Sequence, residues 1–245
     1  MNIIKMEPII YISGGALGDF INQLSVINEK YITTGRKGML YILSKGDVFT
    51  FGVEKAYADT EKLIKSQPYI HDYKIHNGEA FDIDLTKWRS SDILMTGSFG
   101  HIYNKEYGVE WGKHKWITCN ENPKYKDKIL VHCSKKRLNH SLNYDGIFNN
   151  IPIEKFLFVT MDREEYTNFS AISKRSIPLE LFTDYGLFVE AICNCGDFLG
   201  NLSSPFAVAF AAHRPCVAML SDGVTQEAGR YYNFPSYITF YKYVR

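Results

Sequence analysis

Two stretches of this sequence bring glycines or hydroxyls to the start of a helix, where backbone groups can do chemistry. The first is Gly14-Gly15-Ala16-Leu17-Gly18-Asp19, set between a short apolar run and a helical pattern. Its glycine spacing is not the G-x-G-x-x-G of a dinucleotide turn, and Asp19 falls at or just before the first helical turn. A pyrophosphate needs that helix end free. A carboxylate there would repel the anion while complementing the positive end of the helix itself. Asp19 is therefore either a helix cap or a general base held at the carboxyl edge of a parallel sheet, where α/β proteins collect ligands.

The second stretch runs from Asp197 to Pro215. Ser203 and Ser204 are good capping residues and Pro205 suits the first helical position. The helix beyond is small or apolar, so it should be buried, and its start carries no acid. Free amides and a positive dipole there would suit a diphosphate; a buried structural helix with a well-made cap is the other reading. The basic run Lys135-Lys136-Arg137 follows a strand pattern and is the densest cationic cluster in the chain. Two further spacings invite a metal reading. Cys193-Asn194-Cys195 lacks a matching Cys/His pair, and Asp82-Ile83-Asp84 lies in a short polar segment. No metal is expected at either.

The elements that must position these residues alternate. Strands are expected over 8–13, 38–43, 71–75, 81–85 and 93–95, with helices over 19–31 and 53–66. This order implies a parallel sheet with right-handed crossovers. Gly97 to Lys115 mixes glycines with Phe99, Tyr103, Tyr107 and Trp111 and is expected as a long loop. Asn120 to Lys124 is the expected linker. A second α/β unit follows, with strands over 128–133, 155–160, 197–200 and 215–220 and helices over 183–193 and 203–213. The aromatic tail from Tyr231 to Arg245 reads as a packing segment.

Composition narrows the function classes. At 245 residues the chain fits one large or two small domains, and 45 % hydrophobic residues suffice for a core. A net charge of +1 without a long basic run argues against nucleic acid as the main partner. No apolar stretch approaches the ~18 residues of a transmembrane segment. The charged N-terminus does not look like a signal peptide. Five cysteines in a chain of this size read as free thiols in a reducing cytoplasm. The sequons at Asn139, Asn168 and Asn201 carry little weight without a secretory signal.

Together these stretches resemble the heptosyltransferase-like glycosyltransferases (family 9) of the GT-B fold. Gly14 to Phe20 is similar to their opening Gly-Asp turn, Ile129 to Arg137 to the strand and basic loop of their second domain, and Gly200 to Pro215 to their late G-N-D-S/T-G-x-x-H helix start. Leu202 and Ala207 stand where that late motif has its acid and histidine. GT-B fucosyltransferases are a second resemblance, through Gly14 to Gln23 and Asn201 to Phe206. The resemblance implies an α/β, GT-B-like chain of two Rossmann-like domains facing each other across a cleft, an acceptor-side domain over 1–122 and a nucleotide-sugar domain over 123–245. It implies Asp19 as catalytic base and Lys135, Lys136, Arg137, Gly200, Asn201, Ser203 and Ser204 as donor-binding residues. Gly15, Gly18, His101, Tyr103 and Trp111 are expected on the acceptor side.

The implied activity is transfer of a sugar from a nucleotide-diphospho-sugar to a hydroxyl of a glycan or other acceptor, without a metal or bound cofactor. A non-catalytic nucleotide- or glycan-binding protein of the same fold is the alternative, favoured by Leu202 and Ala207. An NAD-dependent enzyme is disfavoured by Asp19 and by the absence of a ribose-binding acid.

Overall fold

The computed structural model describes residues 6–43, 49–138, 140, 142–149, 151–220 and 238–241. Two compact units follow one another along the chain, Met1–Ile117 and Thr118–Arg245. In the first, the apolar run after Pro8 forms strand β1 (Ile9–Ser13). Helix α1 (Leu17–Thr34), strand β2 (Gly38–Ile42), helix α2 (Val53–Lys65), strand β3 (Ile70–Ile75) and the short strand β4 (Ile83–Asp84) come next. Among the described residues they form one parallel sheet in the order β3-β2-β1-β4. The order turns on β1, with β2 and β3 to one side and β4 to the other. Such a switch point opens a crevice at the carboxyl ends of the strands, because the flanking connections leave to opposite faces.

Helix α1 carries polar residues at Asn22, Gln23, Ser25 and Asn28, yet every residue from Phe20 to Glu29 is buried. The cause is the segment expected as a loop. Gly97 to Lys115 instead contains helix α3 (Phe99–Tyr107), capped by Ser98. The rings of Phe99, Tyr103, Trp111 and Trp116 pack edge-on and tilted into one cluster. The indole N–H of Trp111 donates to Asn22 O at 3.0 Å, and that of Trp116 to Ile21 O at 2.7 Å. The aromatic segment thus covers the outer face of α1, since burying large rings outweighs the cost of ordering their loop. Ile93-Leu94-Met95 is not a strand either; the Gly97 N–H closes a turn onto Ile93 O, and Met95 is 65 % exposed.

The second unit contains β5 (Ile129–His132), α4 (Tyr144–Phe148), β6 (Phe156–Thr160), α5 (Arg163–Ser173), β7 (Leu179–Leu181), α6 (Tyr185–Asn194), β8 (Asp197–Gly200), α7 (Ser204–Ala211), β9 (Cys216–Met219) and β10 (Ile238–Tyr241). Its described sheet is parallel throughout, in the order β10-β9-β8-β5-β6-β7. Here the switch point lies between β5 and β8. Val131, Phe156, Phe158, Phe169 and Leu199 anchor the core beside it. Asn120 and Asn122, expected as linker, are bonded to α6 through Asn194 and Glu190. Asn139 and the tail outside Ile238–Tyr241 lie outside the described residues. Among the described residues, no helix is long and apolar enough to cross a membrane.

Candidate functional site

In the first unit the connection after β1 meets the one after β4. Ala16 is the N-cap of α1 and makes no side-chain cap bond. Asp19 therefore lies within the first turn and is not the cap; its Oδ2 accepts a hydrogen bond from Arg89 Nη2 at 2.7 Å. Arg89 comes from a 3-10 turn, Lys87–Ser90, just beyond β4. Its guanidinium also lies over the Trp88 ring and reaches Gly14 O at 3.4 Å. Gly15 makes this possible. Its φ is +106°, and a Cβ there would sit 2.0 Å from Arg89 Nη2. Gln23 holds the turn from beneath, donating to Gly14 O at 3.0 Å and accepting from Ser13 Oγ at 2.5 Å. Gly18 is partly exposed at the same helix start.

The other expected acceptor-side residues divide. His101 is exposed, with its ring 3.4 Å from Ser98 Oγ. Tyr103 and Trp111 are corrected: they are 0 % and 3 % exposed, packed inside the aromatic cluster, and cannot present their faces to a sugar. Asp82 and Asp84 serve the backbone, accepting from Ile10 N–H at 2.9 Å and Thr86 N–H at 2.8 Å respectively.

In the second unit the connections after β5 and β8 are joined by one side chain. Asn201 Oδ1 accepts from Ser134 N–H at 3.1 Å, and Asn201 Nδ2 donates to Ser134 O at 2.9 Å. This amide completes a backbone-like ladder where the two strands part. Gly200 lets β8 approach β5, because a Cβ would lie 2.7 Å from the His132 carbonyl oxygen. Asn201 is 2 % exposed, which excludes it as a glycosylation acceptor. His132 is also buried. Its Nδ1 lies 3.0 Å from Val159 O, so Nδ1–H is the donor, and burial pushes its pKa below the usual imidazole value despite Glu165 nearby.

Helix α7 starts at Ser204 with Ser203 as N-cap and Pro205 in the second helical position; its first turn holds no acid. The Ser203 hydroxyl does not cap the helix, as sequence suggested, but donates to Asn201 O at 3.3 Å. Ser203 and Ser204 remain partly exposed at a helix start that the N-cap side chain does not cap, and the Ser203 N–H donates to Asn201 O at 2.7 Å. Lys135, Lys136 and Arg137 form a 3-10 turn on the adjoining connection. Lys135 is occupied by Asp162 at 3.3 Å and Glu164 at 2.6 Å, which raises its pKa through hydrogen bonding. Lys136 and Arg137 are exposed and have no ion-pair partner among the described residues. Leu202 and Ala207 are both buried.

Two parallel α/β units, each with a switch point, give the chain a GT-B-like fold. The chain matches no protein-family model and no curated protein. Solved structures match over nearly its whole length. The E. coli ADP-heptose LPS heptosyltransferase II has a TM-score of 0.62 at 11 % identity, covering 97 % of this chain and 91 % of that one. The E. coli heptosyltransferase WaaC with ADP-2-deoxy-2-fluoro heptose has 0.60 at 6 %, covering 97 % and 93 %. The dodecameric, iron-containing glycosyltransferase TibC of enterotoxigenic E. coli has 0.60 at 11 %, covering 100 % and 66 %. Among the described residues of this chain, no three His, Cys, Asp or Glu side chains form a group that could hold a metal ion.

Arg89 was not legible beforehand as part of the first site. Its one signal is weak: a cation shortly after a strand that could end beside the glycine turn.

Proposed function

We propose that this chain is a glycosyltransferase that takes a sugar from a nucleotide-diphospho-sugar and passes it to a hydroxyl of a glycan or small-molecule acceptor. The carrying observation is the switch point of the second sheet, where Asn201 locks an acid-free helix start beside Lys136 and Arg137, exposed and without an ion pair among the described residues. In this reading the second unit binds the donor at the Ser203 and Ser204 helix start, through the Ser204 amide and the positive end of α7, and through the charges of Lys136 and Arg137. The first unit serves the acceptor through Gly15, Gly18 and His101. The acceptor oxygen attacks the anomeric carbon, the bond from that carbon to the diphosphate oxygen breaks, and the acceptor's proton passes to Asp19. Lys136 and Arg137 stabilise charge on the departing nucleoside diphosphate, so transfer is proposed to proceed without a metal. ADP and ADP-heptose ligands in the similar structures make an adenine nucleotide the first donor to test. The five free cysteines support a cytoplasmic setting.

Leu202 and Ala207, buried where the related motif has an acid and a histidine, favour a second reading: a binding protein that keeps the nucleotide site and does not transfer sugar. Isothermal titration of the full chain against ADP, GDP, UDP and CDP tests what both readings share. Saturable binding of one of them, preferred over the rest, is the expected result. Heats indistinguishable from dilution for all four at millimolar concentration reject both.

A further inference from the structure

Cys119 is the second residue of the second unit, and Cys193 lies in the last turn of α6. Their sulfurs are 3.2 Å apart in hydrogen-bond contact. We propose that Cys119 and Cys193 form a dithiol site that a small-molecule disulfide oxidises to an intramolecular disulfide, stapling the start of the second unit to α6.

The geometry favours closure. A disulfide bond is about 2.05 Å long, so the sulfurs need to approach by only about 1.2 Å. The backbone on both sides is already laced together. Asn194 Nδ2 donates to Asn120 O at 2.8 Å, Asn194 Oδ1 accepts from Asn122 N–H at 3.0 Å, and Asn122 Nδ2 donates to Glu190 Oε1 at 2.9 Å. These bonds hold residues 120–122 against the helix end that carries Cys193, so the two thiols meet without loop closure.

The pair is also asymmetric in the way thiol–disulfide exchange requires. Cys119 is partly exposed, and the Cys193 thiol beside it lowers its pKa. Cys193 is buried, and the same contact together with desolvation pushes its pKa up. The other three thiols, Cys133, Cys195 and Cys216, are buried and their pKa values are raised. Cys119 is therefore the attacking sulfur. Its thiolate attacks oxidised glutathione, forming a mixed disulfide and releasing one glutathione thiolate. Cys193 then loses its proton to solvent and attacks the Cys119 sulfur. The second glutathione leaves as thiolate. Two protein thiols and one glutathione disulfide become one protein disulfide and two glutathiones.

The test treats the reduced full chain with oxidised glutathione, blocks remaining thiols, and measures intact mass and non-reduced peptide maps. The expected product has lost two hydrogens, carries no glutathione, and links the peptides of Cys119 and Cys193. Cys195→Ser should leave that link in place, while Cys193→Ser should stop at a glutathione adduct on Cys119. If Cys193→Ser does not fold, the parent's map still decides. A stable glutathione adduct on parental Cys119, a link from Cys119 to Cys195, or no reaction at Cys119 overturns the proposal.

Discussion

The two sheets end in switch points built on the same plan and furnished with different charges. In the first, the helix start after β1 holds a carboxylate, and the connection after β4 brings Arg89 to pair with it. In the second, the helix start after β8 holds no acid, and the connection after β5 brings Lys136 and Arg137, which have no ion-pair partner among the described residues. Each site is locked by one amide side chain, Gln23 in the first and Asn201 in the second. The backbone arrangement prepares a ligand site in both, but the side chains decide which ligand. On the proposed function, the first suits proton transfer and the second a diphosphate.

The largest expected effect comes from removing the basicity of the first site. Asp19→Asn should cut sugar transfer by roughly 10²–10⁴-fold, the usual contribution of a positioned base, and leave nucleotide affinity unchanged. Transfer at the parental rate would leave the Arg89 pair as a structural contact and remove Asp19 from the reaction.

The double substitution Lys136→Ala with Arg137→Ala should act only on the second site. Two charge-assisted contacts at about 1.5 kcal/mol each correspond to ~10²-fold weaker binding of the preferred nucleoside diphosphate by titration. Unaltered affinity would move the anion site away from this connection.

A smaller effect is expected from the lock between the strands. Asn201→Ala leaves the Ser134 N–H and C=O without their partner, at a cost of ~1–3 kcal/mol in urea unfolding. A loss of affinity should accompany it, because the β5 and β8 connections are no longer tied. Full stability in this variant would show that water replaces the amide and that the lock is dispensable.

The smallest effect is a pH dependence. Burial holds His132 below its ordinary 6.5 in the folded chain. The unfolded chain binds a proton that the folded chain refuses, so this contribution is complete above about pH 6.5 and is lost as pH falls below it. The slope is at most about 1.4 kcal/mol per pH unit. His132→Gln should unfold with a shallower pH dependence than the parent between pH 6.5 and 5; identical slopes would show that Glu165 cancels the burial.

The alternation of strands and helices, the parallel sheets and the acid-free start of α7 were readable because they depend on local order: apolar runs of strand length, glycine turns and a Ser-Ser-Pro helix start. Helix α5 escaped notice although Asp162 and Glu165 stand at capping-box spacing; its apolar positions are few. The aromatic segment was misread because glycine content reports on backbone freedom, whereas Tyr103 and Trp111 are fixed by rings they meet only in the folded unit.

The sequence by itself determined which residues could carry charge, cap a helix or tolerate a positive φ, since these properties belong to single residues and their near neighbours. Tertiary structure decided which charges remain available. Arg89 lies 70 positions from Asp19 and Glu164 lies 29 from Lys135, yet each closes onto its partner. Such pairings depend on strand order and on the crossovers that bring carboxyl ends together. No local spacing encodes those distances, and so Lys136 and Arg137, without an ion pair among the described residues, could be told from the occupied Lys135 only in the folded chain.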